Sequence, residues 1–126
     1  IGTSFEATTI VNSTNTAITA GSGSLPVFGT PFLIALMEKA TCDAAADFLE
    51  KEETTVGTAI HISHSKASGI GTVVTAKAVI SEISGRKITF DVSASDEHGD
   101  CIGSGRIERF VVSANKFMQK VGGNEI

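Results

Sequence analysis

The chain has 126 residues, of which 41% are hydrophobic and 19% charged, with a formal net charge of −4. This length suits one domain with its own core, so we expect a single domain over residues 1–126. The net negative charge argues against a surface that binds nucleic acid. Because no apolar run approaches the length of about 18 residues that a membrane span needs, we expect neither nucleic acid nor a membrane as a partner.

The first part of the chain carries weak strand patterns and a flexible connector. Residues 4–11 alternate loosely and predict a strand, whereas residues 15–20 fit either a second strand or a loop. Residues 21–24 are Gly and Ser only, which indicates a linker. A phosphate-binding loop would need a strong strand before it and a lysine after it, and neither is present.

The stretch over residues 30–49 predicts one long helix around which the fold is organised. It consists of good helix formers, with Thr30 as a natural N-cap and Pro31 suited to the first helical position. The apolar residues repeat at helical spacing in two neighbouring stripes, so we expect the helix to be covered on several sides. The first stripe is Leu33, Leu36, Met37, Ala40, Ala44 and Phe48, and the second is Ile34, Ala45 and Leu49.

Glu38 is an acid within the second apolar stripe, four residues from Ile34 and four from Cys42. A carboxylate in apolar surroundings must find a partner or become neutral. Two interpretations stay open: Glu38 is a buried carboxylate paired with an Arg or Lys, or it is a base or nucleophile.

The second half of the chain predicts four antiparallel strands in a meander and a short terminal helix. One helix cannot cover both faces of such a sheet, so the simplest architecture is an α+β fold with the sheet wrapped around the helix. The last two strands would then leave long edges for a second copy of the chain. The predicted strands are residues 58–65, 72–82, 88–94 and 101–113, with reversals at 69–71, 84–86 and 97–100 and the helix at 115–121.

Two histidines lie on the first of these strands, and they face opposite sides. His64 shares the helix-facing side with Ile60 and Ile62, whereas His61 points away, so the pair cannot bind one metal. His64 is either a core histidine bonded to a backbone carbonyl or a functional group with a partner on the helix. On the apolar arc of that helix, Glu38 is the acid available.

The remaining candidate residues and the two cysteines also have simple structural explanations. Thr30 is a helix cap, although its hydroxyl also lies beside backbone N–H groups that would stabilise an anionic intermediate. Gly57 is a turn glycine, or a point where a ligand approaches the backbone N–H closely. His98 is expected on the surface. Cys42 and Cys101 are interpreted as buried, reduced thiols of a cytoplasmic protein.

Taken together, these residues resemble the hot-dog fold of acyl-CoA thioesterases and dehydratases, most closely its fluoroacetyl-CoA thioesterase-like family. The similarity covers residue 25 to the C-terminus. It rests on the Thr-Pro-(x)6-Glu stretch from Thr30 to Glu38, on Thr55-Val56-Gly57-Thr58, on Ser63-His64-Ser65, and on Ile102-Gly103-Ser104-Gly105 followed by Glu108-Arg109.

The resemblance implies that Thr30, Glu38 and His64 form a catalytic set that hydrolyses an acyl-CoA thioester to a carboxylate and free CoA. The N–H of Gly57 would contact the thioester oxygen. The resemblance also implies a homodimer joined edge to edge, or a dimer of dimers, with acyl-CoA at the subunit interface. Fluoroacetyl specificity in the family depends on an aromatic lid near the helix entry. Phe28 and Phe32 lie in that region, and neither is assigned to the lid, so the identity of the acyl group stays open.

CoA carries phosphates, so basic residues are expected at the mouth of its pocket. The candidates are Lys66, Arg106 and Arg109, each of which also fits an ordinary surface charge. We expect no cofactor beyond the CoA of the substrate, and no metal, because no cluster of side chains has ligand spacing.

Two other functions compete with hydrolysis. The alternative is a non-catalytic hot-dog protein that binds acyl-CoA or another small ligand. A hot-dog hydratase is the second competitor, but the sequence lacks the helix segment on which such an enzyme carries its acid and histidine.

Overall fold

The computed structural model describes residues 1–122, in which five antiparallel strands form one sheet around one long helix. This is the predicted α+β architecture, and the long helix packs against one face of the sheet. In chain order the elements are β1 (Ser4–Ile10), α1 (Ala17–Ala20), α2 (Thr30–Ala45) with a 3-10 turn after it (Ala46–Phe48), β2 (Glu53–His64), β3 (Val73–Ser84), β4 (Lys87–Asp96), β5 (Cys101–Ser113) and α3 (Ala114–Lys120).

The strand order β1-β3-β4-β5-β2 differs from the predicted four-stranded meander. Only β3, β4 and β5 form a meander, whose hairpins turn at Gly85 and Gly99 with φ of 61° and 83°. β2 pairs with β5 instead of β3. The two strands expected to leave free edges therefore lie inside the sheet, and β1 and β2 are its edges. Alternation of side chains predicts where a strand is and which way it faces, but not its neighbours.

α2 begins one residue earlier than the capping pattern predicts. Gly29 is the N-cap, and its carbonyl accepts the first helical hydrogen bonds from the N–H groups of Phe32 and Leu33. Pro31 sits in the first turn as expected. The prediction of Thr30 as N-cap is wrong, because its hydroxyl bonds to another part of the chain.

The core lies between α2 and the inner face of the sheet. The prediction for α2 is confirmed for most of the first stripe and for Ala45, but Phe48 is 52% exposed because the 3-10 turn ends the helical spacing. The helix contributes the buried residues Leu33, Leu36, Met37, Ala40, Ala44 and Ala45, and β3 and β4 contribute Val74, Ala76, Ala78, Ile80, Ile88, Phe90, Val92 and Ala94.

Two smaller predictions are corrected by the structure. Residues 15–20 contain α1 rather than a strand or loop, and Thr16 caps it by accepting a hydrogen bond from the N–H of Thr19. Cys42 and Cys101 are free as expected but exposed rather than buried, since neither faces the core. His98 is exposed, as predicted. Within residues 1–122, no helix combines the length and apolar character needed to cross a membrane.

Candidate active site

A β-bulge in β2 decides which of its residues face α2. The register between β2 and β5 shifts just after Gly57, which leaves Thr58 as an extra residue. The hydroxyl of Thr58 donates to the carbonyl oxygen of Glu108 at 3.2 Å. In a regular strand, Gly57 and His64 would face opposite sides because they are an odd number of residues apart. The bulge adds one residue, so both face the helix.

Thr30 and His64 form one of two clusters on this face. Oγ1 of Thr30 lies 2.7 Å from Nδ1 of His64. Nε2 of His64 is buried and has no hydrogen-bond partner among the described residues. Burial lowers the pKa of His64 from its ordinary 6.5, and a backbone hydrogen bond at Lys66 offsets part of this effect. His64 is therefore neutral near neutral pH and is able to accept a proton.

A cleft of about 270 Å³ opens beside this first cluster. Its walls come from α1, from the entry to α2 and from the segment that follows β2. Phe28 lies in its wall and is only 2% exposed. Phe32 lines a separate cleft of about 230 Å³, which Phe28 also borders. Phe28 thus borders both clefts, whereas Phe32 lines only the second of the two.

Glu38 belongs to the second cluster, where it is paired with Arg109. Nη1 of Arg109 donates to Oε2 of Glu38 at 3.2 Å, and the Glu38 side chain is 34% exposed. A Cβ placed on Gly57 would lie 3.0 Å from the same carboxylate oxygen. The predicted pairing of Glu38 with an arginine is therefore confirmed, but its carboxylate is partly exposed rather than buried. The paired carboxylate still lies beside Gly57, the one residue of β2 without a side chain. The pairing is therefore compatible with a functional role for Glu38.

Arg109 is held by Thr55 as well as by Glu38. Nε of Arg109 donates to Oγ1 of Thr55 at 2.8 Å, and Nη2 donates to the Thr55 carbonyl oxygen at 3.0 Å. Both residues are buried. This pairing was not predicted from the sequence. The strand pattern did indicate that Arg109 faces inward, because it lies two residues after the buried Ile107 and so lies on the same face of β5.

The two clusters are separated within one subunit. Thr30 and Glu38 are eight residues apart on α2, which corresponds to about 12 Å along the helix axis. Among the contacts of residues 1–122, none joins the Thr30–His64 pair to Glu38. The structure therefore brings Thr30 to His64 and Gly57 to Glu38, but it does not bring all four together.

The three basic residues considered for CoA phosphates occupy unrelated places. Lys66 donates to Asp96 at 3.1 Å and to Asp100 at 2.6 Å, and these hydrogen bonds raise its pKa. Arg109 is 7% exposed and lies inside the fold, not at a pocket mouth. Arg106 is exposed on the outer face of the sheet, on a shallow cleft away from α2. Of the three, only Lys66 borders the cleft at His64.

Sequence and structure comparisons point to one family. Residues 11–115 match the family model described as fluoroacetyl-CoA-specific thioesterase. The fluoroacetyl-CoA thioesterase of Streptantibioticus cattleyicolor is 43% identical over 95 residues, which is 75% of this chain and 68% of that protein.

Solved structures extend the similarity to the fold. A fluoroacetyl-CoA thioesterase structure superposes with a TM-score of 0.91 at 35% identity, covering 97% of this chain and 94% of that one. A thioesterase superfamily member from Thermus thermophilus superposes with a TM-score of 0.89 at 25% identity, covering 96% and 89%. The chain is thus similar to thioesterases of the hot-dog fold over nearly all of its length.

Proposed function

The chain belongs to the fluoroacetyl-CoA-specific thioesterase family, and we propose that Thr30, Glu38 and His64 carry out its hydrolysis of an acyl-CoA to a carboxylate and free CoA. It is a thioester hydrolase of the hot-dog fold. One observation carries the assignment of residues. The bulge in β2 places a histidine bonded to a threonine, and a glycine beside a carboxylate, on the same inner face.

His64 supplies the proton transfer in this proposal. Its lowered pKa keeps the imidazole neutral at the pH where a general base is needed. Thr30 fixes the ring through Nδ1, and in the described part of the chain Nε2 has no hydrogen-bond partner. Nε2 is therefore the nitrogen that would take the proton of water or of the attacking group.

Glu38 and Gly57 act on the carbonyl in this proposal. The N–H of Gly57 stabilises the oxygen of the tetrahedral intermediate, and breaking of the C–S bond releases the CoA thiol. This step leaves the carboxylate if water attacks, or an anhydride at Glu38 that water then hydrolyses to the carboxylate. Glu38 either attacks the carbonyl carbon to form an anhydride or orients the attacking water. Rapid quenching of the reaction, followed by mass spectrometry of the peptide that contains Glu38, separates the two routes. Only the anhydride route adds an acyl group to that peptide.

The separation of the two clusters is the main support for a homodimer. β2 is a 12-residue edge strand that pairs only with β5 among the described strands. Antiparallel pairing of two copies of β2 about an axis near Ile60 would set Gly57 of one subunit opposite Ile62 of the other, because the bulge leaves Thr58 unpaired. The Glu38–Gly57 cluster of one subunit would then face the Thr30–His64 cluster of the other, with acyl-CoA between them.

The substrate is proposed only as an acyl-CoA, with the acyl group to be determined. A related thioesterase variant has been solved with fluoroacetate and CoA, so short acyl groups are the first to test. Lys66 and Arg106 remain candidates for phosphate contacts, whereas the buried Arg109 is better suited to the reacting centre. We also propose a cytoplasmic location, where the exposed thiols of Cys42 and Cys101 would stay reduced.

Thiol release from a panel of acyl-CoAs tests the function directly. The panel includes fluoroacetyl-CoA, acetyl-CoA and longer chains, and a thiol reagent reports free CoA. We expect release from at least one member, and its loss in His64→Ala. Binding of CoA without release from any acyl chain would instead favour a non-catalytic acyl-CoA binding protein.

A further inference from the structure

Thr55 uses two different oxygens to hold one edge of the Arg109 guanidinium. The side-chain oxygen accepts from Nε at 2.8 Å and the carbonyl oxygen accepts from Nη2 at 3.0 Å. Nε and Nη2 lie on the same side of the planar group, so these bonds fix its orientation. The third nitrogen, Nη1, is then directed to Oε2 of Glu38 at 3.2 Å. Arg109 is 7% exposed, so little solvent competes for these donors.

The position of the guanidinium matters because of where Gly57 lies. Arg109 and Gly57 are directly paired across β5 and β2. A Cβ on Gly57 would lie 3.5 Å from Nη1 of Arg109 and 3.0 Å from Oε2 of Glu38. The cation and the carboxylate thus border the same small space, and a rotation of the guanidinium would move both the charge and the orientation of Glu38.

We propose that Thr55 is a positioning residue for thioester hydrolysis, which holds Arg109 so that Nη1 keeps the Glu38 carboxylate aimed at the space beside Gly57. This inference rests on the proposed role of Glu38. Thr55 itself is buried and acts through Arg109. Its hydroxyl is the part that matters, since any residue at this position would supply the carbonyl oxygen.

Thr55→Val is the direct test, because it keeps the shape of the side chain and removes only the hydroxyl. We expect kcat to fall about tenfold to a hundredfold with a much smaller change in KM, as misplacement of a reacting group does. Thr55→Ser keeps the hydroxyl and should retain most of the activity. Arg109→Lys should resemble Thr55→Val because an ammonium group cannot form the two-point contact. The matched control is Thr54→Val, the same change at the neighbouring exposed position of β2.

A double-mutant cycle separates positioning of Glu38 from a general structural effect. If Thr55 acts through Glu38, Thr55→Val should lower kcat far less in a Glu38→Gln background than in the native protein. Equal fold-losses in the two backgrounds would overturn the proposal. So would full activity per folded molecule in Thr55→Val.

A spectroscopic readout tests the hydrogen bond between Arg109 and the Thr55 hydroxyl without relying on activity. In a ¹H–¹⁵N spectrum of the native protein, the Nε–H of Arg109 should exchange slowly, and the signal should persist in Thr55→Ser but broaden or vanish in Thr55→Val. If no acyl-CoA is hydrolysed, the proposed function fails, but this signal still reports whether Thr55 holds Arg109. A signal unchanged in Thr55→Val would show that the hydroxyl does not hold Arg109.

Discussion

The hydroxyl of Thr30 lies 2.7 Å from Nδ1 of His64, which joins the first residue of α2 to the last residue of β2. This contact explains why Thr30 does not cap its own helix and why Gly29 takes that position. It also leaves Nε2 of His64 as the ring nitrogen without a hydrogen-bond partner among residues 1–122. A side chain that would normally stabilise a helix end is used here to orient an imidazole.

The first prediction concerns this pair. His64→Ala should lower kcat by about a hundredfold or more, the scale of lost acid–base help. Thr30→Ala should also lower kcat, whereas Thr30→Ser should be milder because the hydroxyl is kept. Steady-state kinetics on purified, folded variants provide the measurement. Equal activity of Thr30→Ala and Thr30→Ser would contradict the role of the hydroxyl.

The second prediction concerns Glu38. Glu38→Gln keeps the size of the side chain but removes its charge, so kcat should fall about a hundredfold while the protein stays folded. Thermal unfolding and kinetics are measured together. If Glu38→Gln unfolds the protein but leaves activity per folded molecule unchanged, Glu38 serves only to pair with Arg109 and the mechanism should be dropped.

Much of the fold follows from patterns that the sequence displays openly. The helical spacing of apolar residues places α2, and the alternating apolar residues Ile88, Phe90, Val92 and Ala94, all of which are buried, place β4. Strand order does not follow, because both hydrogen-bonded neighbours of an antiparallel strand present the same alternation. The sequence therefore predicts all five strands and the helices α2 and α3, but not that β2 lies at the edge of the sheet.

The candidate site is predictable only in part, and for a physical reason. Glu38 stands out as an acid on an apolar stripe, and His64 as a histidine on an inner face. The bulge at Thr58, however, depends on how β2 and β5 align, which no local pattern states. The pairing of Glu38 with Arg109 joins residues 71 positions apart, so it too appears only when the sheet forms.

The third prediction concerns Gly57. In Gly57→Ala, the new Cβ would lie 3.0 Å from Oε2 of Glu38, so the carboxylate must move and kcat should fall at least tenfold. Gly69→Ala is the matched control, because a Cβ there meets nothing within 4 Å and the backbone φ is not positive. Kinetics and thermal unfolding should show little change in the control. Similar losses in both variants would argue against a specific role for Gly57.

The fourth prediction concerns pH. Burial lowers the pKa of His64 from 6.5, so the neutral base persists to lower pH and the acid limb of kcat/KM should lie below pH 6.5. The free energy of unfolding should depend on pH in the same direction as kcat/KM. Between the pKa of the folded state and 6.5, the unfolded chain binds more protons at this residue, so the free energy of unfolding falls as the pH falls through that window.

Rate profiles and denaturant unfolding between about pH 5 and about pH 8, the range in which histidine titrates, provide both measurements. His64→Gln, which does not titrate there, should show a shallower loss of stability on acidification. An acid limb above pH 6.5 would contradict the effect of burial on His64.

The last prediction concerns the division of the site between subunits. Light scattering at micromolar concentration should give a mass at least twice that of one chain, because β2 presents a long free edge. His64→Ala and Glu38→Gln should each be nearly inactive alone, yet a mixture that exchanges subunits should regain activity. In a mixed dimer, one of the two sites combines an intact Glu38 with an intact His64 from the other chain. Since half of the dimers formed by random exchange are mixed, about a quarter of native activity should return. If the catalytic residues came from one chain, the recovery would be absent, because every site would then lack either Glu38 or His64.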